Sequence, residues 1–184
     1  PCVGGMAGIY PCDNVDLISR MTLSEIGANP NNDNTSDIWG WVSPVTGKEY
    51  ALVAVSNGLA FVDISTPEAP VYLGMLPSHT SSSLWRDVET LDNYCFVGSE
   101  ASGHGLQVFD MLQLDNVTTP TSFNESAYYG GFGHSHTIAI DPVSKILMAM
   151  GSSTFNGGPH LVDISNPLQP ILVGGYADAG YTLD

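Results

Sequence analysis

Beyond residue 36 the chain is written in short apolar runs, each closed by Gly, Asn, Asp, Ser or Pro. Tyr50-Ala51-Leu52-Val53-Ala54-Val55 and Leu59-Ala60-Phe61-Val62, separated by Ser56-Asn57-Gly58, have the length and composition of two strands joined by a hairpin. Helical spacing occurs in one place only. Between Asn14 and Ile26, Val15, Leu17, Ile18, Met21 and Leu23 make a loose apolar stripe behind a candidate cap at Asn14, which predicts at most two helical turns.

The runs themselves repeat. The segment Ala51–Gly74 recurs as Leu147–Gly174, and Cys95–Asp110 is a degenerate middle copy. The Asp that ends the second apolar run falls at 63, 110 and 163, and first strands open near Asp37, Asp87 and Thr137. Four short strands about every 45 to 50 residues is the period of a β-propeller blade. The expected fold class is therefore all-β, a β-propeller of four-stranded antiparallel blades. An N-terminal extension occupies 1–36, and blades occupy 37–86, 87–136 and 137–183. Propellers close with roughly four to eight blades, so the pattern predicts part of a longer propeller, truncated on its C-terminal side, or one of several chains that complete each other.

The 184 residues are 43% hydrophobic, enough to build a core. Only 4 Lys and Arg stand against 19 Asp and Glu, a net charge of −15. So few cations cannot neutralise a row of phosphates, which argues against nucleic acid and against an anionic membrane surface. No apolar stretch approaches the length of a membrane span. Three N-glycosylation acceptor patterns, at Asn34, Asn116 and Asn124, lie in polar stretches that read as exposed loops. Cys2 and Cys12 flank a Gly-rich segment and are either a small disulfide loop or two free thiols. Cys95, inside Tyr94-Cys95-Phe96-Val97, reads as a core thiol. Acidic surface, acceptor sites and candidate disulfide together predict an extracellular glycoprotein, secreted or at the cell surface.

Several segments, in this order, resemble the choice-of-anchor B proteins, whose propellers carry LVIVD-type repeats. They are Ala7–Leu17, Asp37-Ile38-Trp39-Gly40-Trp41, Thr46–Val53, Ser99–Gly105, Tyr129–His134 and Val162-Asp163-Ile164-Ser165. The resemblance implies a secreted or surface-displayed propeller longer than this chain, and it implies no particular chemistry. One position departs from it: members tend to carry His before the Asp that is Asp184 here, whereas this chain has Leu183.

Candidate chemistry centres on the histidines. His134 and His136 are two apart and would project from one face of a strand. With Asp87 and Asp184 at blade openings they form a candidate metal set for a transition ion, and His79 is expected near the same mouth. The competing reading has these imidazoles bonding loop backbone. Asn31–Asp37 is oxygen-rich and a candidate for Ca²⁺, although it lacks the Gly and Glu of an EF-hand loop. Asp63, Asp110 and Asp163 precede Pro-containing turns, where a carboxylate accepts backbone N–H groups; a ring of acid–base residues is the alternative. Trp39, Trp41 and Trp85 either fill the wedge between sheets or offer a platform to a sugar. Gly133-His134-Ser135-His136-Thr137 is not a nucleophile elbow, because Thr137 stands where the closing Gly belongs. The expected function is a structural, adhesive or ligand-binding module that contacts extracellular proteins or glycans, with self-assembly into a homo-oligomer through open edges, and with no catalytic residue assigned. The alternative is a metal-dependent hydrolase or lyase acting through His134, His136, Asp87 and Arg86.

Overall fold

The computed structural model of the chain describes residues 1–178 and 180–183. A small hairpin of β1 (Met6–Ala7) and β2 (Tyr10–Pro11) is closed by a Cys2–Cys12 disulfide with its Cα atoms 5.9 Å apart. Then follow β3 (Thr35–Val42), β4 (Glu49–Val55), β5 (Gly58–Asp63) and β6 (Val71–Pro77), which pair in chain order as an antiparallel meander. The second sheet begins with β7 (Arg86–Leu91), β8 (Tyr94–Ser99) and β9 (Leu106–Asp110). Its connection then detours: β10 (Thr121–Ser122) pairs in parallel with β6, and only afterwards does β11 (Ala127–Tyr129) complete the second sheet beside β9. The third sheet is β12 (Thr137–Asp141), β13 (Ile146–Met150), β14 (His160–Asp163) and β15 (Ile171–Gly175). The protein is all-β, built from several antiparallel sheets.

The strands are apolar on both faces because the sheets are stacked. Leu52, Leu59, Phe61 and Leu76 of the first sheet pack on Val88, Cys95, Val97 and Phe109 of the second. Phe61 stacks on Phe109 with ring centroids 4.8 Å apart, and Phe123, which follows β10, meets both rings edge-on. The opposite face of the second sheet, with Phe96, Leu106 and Val108, buries Ile138, Leu147 and Val162 of the third. Each such side chain contributes roughly 1.5–3 kcal/mol on leaving water.

The first strands of the three sheets lie side by side and are joined by a repeated polar clasp. Asp37 Oδ2 accepts the Val88 N–H at 2.9 Å, and Asp87 Oδ2 accepts the Ile138 N–H at 2.7 Å. Thr137 stands at the third equivalent position and carries no carboxylate. Along the same seam Trp39 Nε1 donates to Thr90 Oγ1 at 2.9 Å, and Trp41 Nε1 to the Asp92 carbonyl at 3.0 Å. Two of the three indoles therefore bridge neighbouring sheets.

The stripe at Asn14–Ile26 does not become a helix of two turns. A single 3₁₀ turn, Ser24–Ile26, forms there, and Asn14 takes a left-handed φ of 56° instead of capping. Short helices draw their stability from a surface to pack on, and Val15, Leu17 and Ile18 remain exposed. Met21, Leu23 and Ile26 instead cover part of the outer face of the first sheet, against Val55, Ala60 and Val62.

The detour of β10 depends on Gly74. Its φ of +135° is hostile to L side chains, and an added Cβ would run into the Thr121 carbonyl oxygen. Gly74→Ala is expected to cost about 2 kcal/mol or more and to release Thr121–Ser122 from the first sheet. Denaturant unfolding combined with hydrogen exchange at Ser122 and Phe123 checks this; an unchanged midpoint with unchanged protection would refute it.

Candidate functional site

Strand alternation sends neighbouring side chains to opposite faces, and at the start of β7 this separates Arg86 from Asp87. Where β3, β7 and β12 begin, a cleft of about 160 Å³ is lined by Asp37, Trp85, Arg86, Asp87, His136 and Thr137, with Ser36 at its side. Trp85 is 49% exposed, and its ring lies 6.3 Å from that of His136. The Nδ1 of His136 pairs with Glu100 Oε1, which orients the imidazole. Burial pushes the Asp87 carboxyl up to about 7, the neighbouring Asp37 carboxyl and Glu89 add to the rise, and the Ile138 N–H works the other way. Burial also raises Glu89. The cleft thus offers an aromatic wall, an oriented imidazole and a carboxyl that holds a proton near neutrality.

Arg86 forms no ion pair with Asp87 or Glu89. Its buried guanidinium runs between the first two sheets and donates to the carbonyls of Val55 and Ser56 and to Ser78 Oγ. Its Nη1 lies 2.8 Å from His104 Nε2. His104 is fully buried, and its Nδ1–H donates to the Gly105 carbonyl at 3.0 Å, which leaves Nε2 to accept from Arg86. Burial lowers the His104 imidazole to about 4, with the Arg86 charge acting in the same direction and the Gly105 bond against it. Burial also lowers the guanidinium to about 10. This pair is a cross-sheet latch.

Of the candidate metal residues, His136 and Asp87 share the cleft; His134 is not among the residues that line it, and Asp184 lies outside the described residues. Among the described residues no group of three or more His, Cys, Asp or Glu side chains converges to hold a metal ion. In the oxygen-rich loop, Asp33 Oδ2 accepts the Asn29 N–H and Asp37 is taken by Val88, so two of its carboxylates are spent on backbone. His79 does not line this cleft. It pairs with Glu125 at 2.9 Å and stacks on Tyr128 at 3.7 Å. His160 is buried among Phe132, Phe155 and Tyr129, bonded to Thr154 Oγ1 and the Tyr129 hydroxyl. Asp63, Asp110 and Asp163 accept the N–H groups of Ser65, Leu112 and Ser165 across their turns. Asn34, Asn116 and Asn124 are all exposed. The sequence reading missed Glu100 and the latch partner of Arg86, because neither belongs to a recognisable spacing.

A larger groove lies elsewhere. It measures about 470 Å³ on the outer face of the first sheet, lined chiefly by apolar residues such as Met21, Leu23, Ile38, Val53 and Val62. It has the character of a packing face and not of a reaction site.

The family model for the LVIVD repeat matches residues 41–76 and 154–178. These segments correspond to most of the first sheet and to the outer half of the third. No curated protein matches the chain.

The His104 imidazole is depressed in the folded state relative to an ordinary 6.5. Its contribution to stability is therefore complete above pH 6.5 and is lost as pH falls toward about 4, where the buried ring must take up a proton beside Arg86. Over that window the loss amounts to up to about 3 kcal/mol. His104→Gln, which keeps an acceptor for Arg86, is expected to flatten this part of the pH–stability profile. Parallel slopes for the two proteins in urea melts from pH 7 to pH 4 would refute the assignment.

Proposed function

We propose that this chain is the blade-bearing part of an extracellular β-propeller of the choice-of-anchor B kind, working as a structural or adhesive module that holds a protein or glycan ligand at its mouth. The observation that carries the reading is the repeated clasp, Asp37 to Val88 and Asp87 to Ile138, which sets successive first strands side by side as blades sit around an axis. The LVIVD matches and the Cys2–Cys12 disulfide are compatible with an extracellular protein. The apolar groove outside the first sheet then serves as a face for another blade. At the mouth, the exposed indole of Trp85 offers a flat apolar surface to a sugar ring or an aromatic side chain, while Asp87 and His136 supply hydrogen bonds.

A second reading, a metal-assisted hydrolase or lyase, uses the same cleft. What favours it is the Asp87 carboxyl, raised to about 7 beside an imidazole oriented by Glu100.

Arrays of glycans and of extracellular proteins probed with the intact chain test the first reading. Trp85→Ala is expected to weaken the ligand found there at least tenfold while leaving the melting temperature unchanged. A protein that binds nothing on either array sinks the reading. Turnover abolished by a chelator and by Asp87→Asn would establish the second reading instead. Glycosidase treatment of protein from its native source is expected to lower its mass, because Asn34, Asn116 and Asn124 are exposed; an unchanged mass would remove the glycoprotein assignment.

A further inference from the structure

Between the first two sheets, two buried side chains compete for one nitrogen of a third. Arg86, His104 and Gln107 are 3%, 0% and 2% exposed, so each depends on partners within the protein. The Nε2 of His104 lies 2.8 Å from Arg86 Nη1 and 3.0 Å from Gln107 Oε1. A guanidinium only donates and an amide oxygen only accepts, so Nε2 satisfies one of them and not both. Neither the tautomer nor the amide is free to change. The Gly105 carbonyl takes the proton on His104 Nδ1. The Gln107 NH₂ group is committed to the Pro77 carbonyl at 3.0 Å and to Glu125 Oε2 at 2.9 Å.

The two protonation states of His104 therefore bond differently. With Nε2 bare, Arg86 has its acceptor and Gln107 Oε1 has no donor. With Nε2 protonated, Gln107 Oε1 gains a donor, while Arg86 Nη1 faces an N–H and a second positive charge. The segment that Arg86 holds has little else to hold it. Its Nη2 donates to Ser78 Oγ, to the Ser56 carbonyl at 3.2 Å and to the Ser81 carbonyl at 3.4 Å. The Ser83 N–H reaches that same Ser56 carbonyl at 2.9 Å. Leu84 is 47% exposed, and no residue from Thr80 to Trp85 is buried.

We propose that Arg86, His104 and Gln107 form an acid-operated switch, in which protonation of His104 transfers its Nε2 from Arg86 to Gln107, displaces the guanidinium and frees the connection Thr80–Trp85 from the first sheet. Arg86 approaches the ring from β7. From the loop after β6, His79 adds positive charge when protonated. Glu125, ahead of β11, is one hydrogen bond away through Gln107 and pairs with His79, on which Tyr128 stacks. Burial, seconded by the Arg86 charge, keeps the ring neutral down to about pH 4, so the latch is closed at neutral pH and opens in acid. Protonation favours the state with Arg86 released, and release in turn raises the proton affinity of His104, so the two events occur together. The switch goes beyond the reading of the chain as a binding module. It moves the indole wall of the cleft yet needs no ligand there, so the two fail separately.

The test follows the ¹⁵N-labelled intact chain by NMR from pH 7 to about pH 3.5, with hydrogen exchange as a second readout. Expected in one pH step are a proton on His104 Nε2, loss of protection at the Arg86 Nε–H, and at least a tenfold fall in protection of the Ser83 amide. The Val97 and Phe109 amides should keep theirs. In His104→Gln, protection at Ser83 should not change over this range. Gln107→Leu, which removes the acceptor offered to the charged ring, should lower the proton affinity of His104 at least tenfold. Either variant that retains its melting temperature at neutral pH suffices if the other does not fold. A ring still neutral at pH 3.5, or one that takes its proton while Arg86 and Ser83 stay protected, overturns the proposal. So does an equal loss at Ser83 in His104→Gln, which would assign the change to Glu125 or His79. Loss at Val97 and Phe109 in the same step overturns it as well, because the whole chain is then unfolding.

Discussion

Each sheet of this protein is apolar on both faces, and the structure follows from the need to cover both. The second sheet solves the problem completely: Val88, Val97 and Phe109 are buried against the first sheet, and Phe96, Leu106 and Val108 against the third. The outer sheets solve it on one side. The first is partly covered by Met21, Leu23 and Ile26, while Ile171, Leu172 and Val173 of the third are exposed among the described residues. Stacking alone would allow the sheets to slide, because apolar contact is non-directional. The carboxylates of Asp37 and Asp87 remove that freedom by tying each first strand to a single N–H of the next.

The clasp has an electrostatic consequence. Burial of Asp87 in the seam, reinforced by the neighbouring Asp37 and Glu89 carboxyls, holds a proton on it near neutrality. The same seam opens onto Trp85 and His136. A structural device and a candidate ligand site therefore use the same carboxyl groups. Arg86, one residue away, belongs to a different system: it faces the interior between the first two sheets, and a neutral His104 serves as its acceptor.

The excursion of Thr121–Ser122 shows how a repeat can be broken for use. The connection from β9 to β11 leaves its own sheet, anchors Asp115 on Ser43, Thr46 and Tyr50 of the first, and sends Phe123 into the shared core before returning. This interlock ties the first two sheets to each other through both side-chain hydrogen bonds and a shared core. The third sheet carries the matching bulge and glycine, and among the described residues no strand lies upon it.

Strand positions, hairpins, the repeat and the turn-capping Asp63, Asp110 and Asp163 were legible in the residues, because these features depend on alternation and on bonds to neighbours two residues away. The LVIVD matches fall on the same repeated segments. What lay beyond reading depends on partners distant in the chain. The stripe at Asn14–Ile26 has helical spacing but finds no surface for Val15 and Ile18, so it stays irregular. Thr121 and Ser122 look like loop residues and become a strand only because Gly74 leaves room. His136 and Asp87 line one cleft, whereas His79 is drawn away to Glu125. Local alternation and turn chemistry are written into short stretches of sequence; which side chains share a cleft, and which carboxyl keeps its proton, are set by how three sheets pack, since burial and charge proximity exist only in the folded chain.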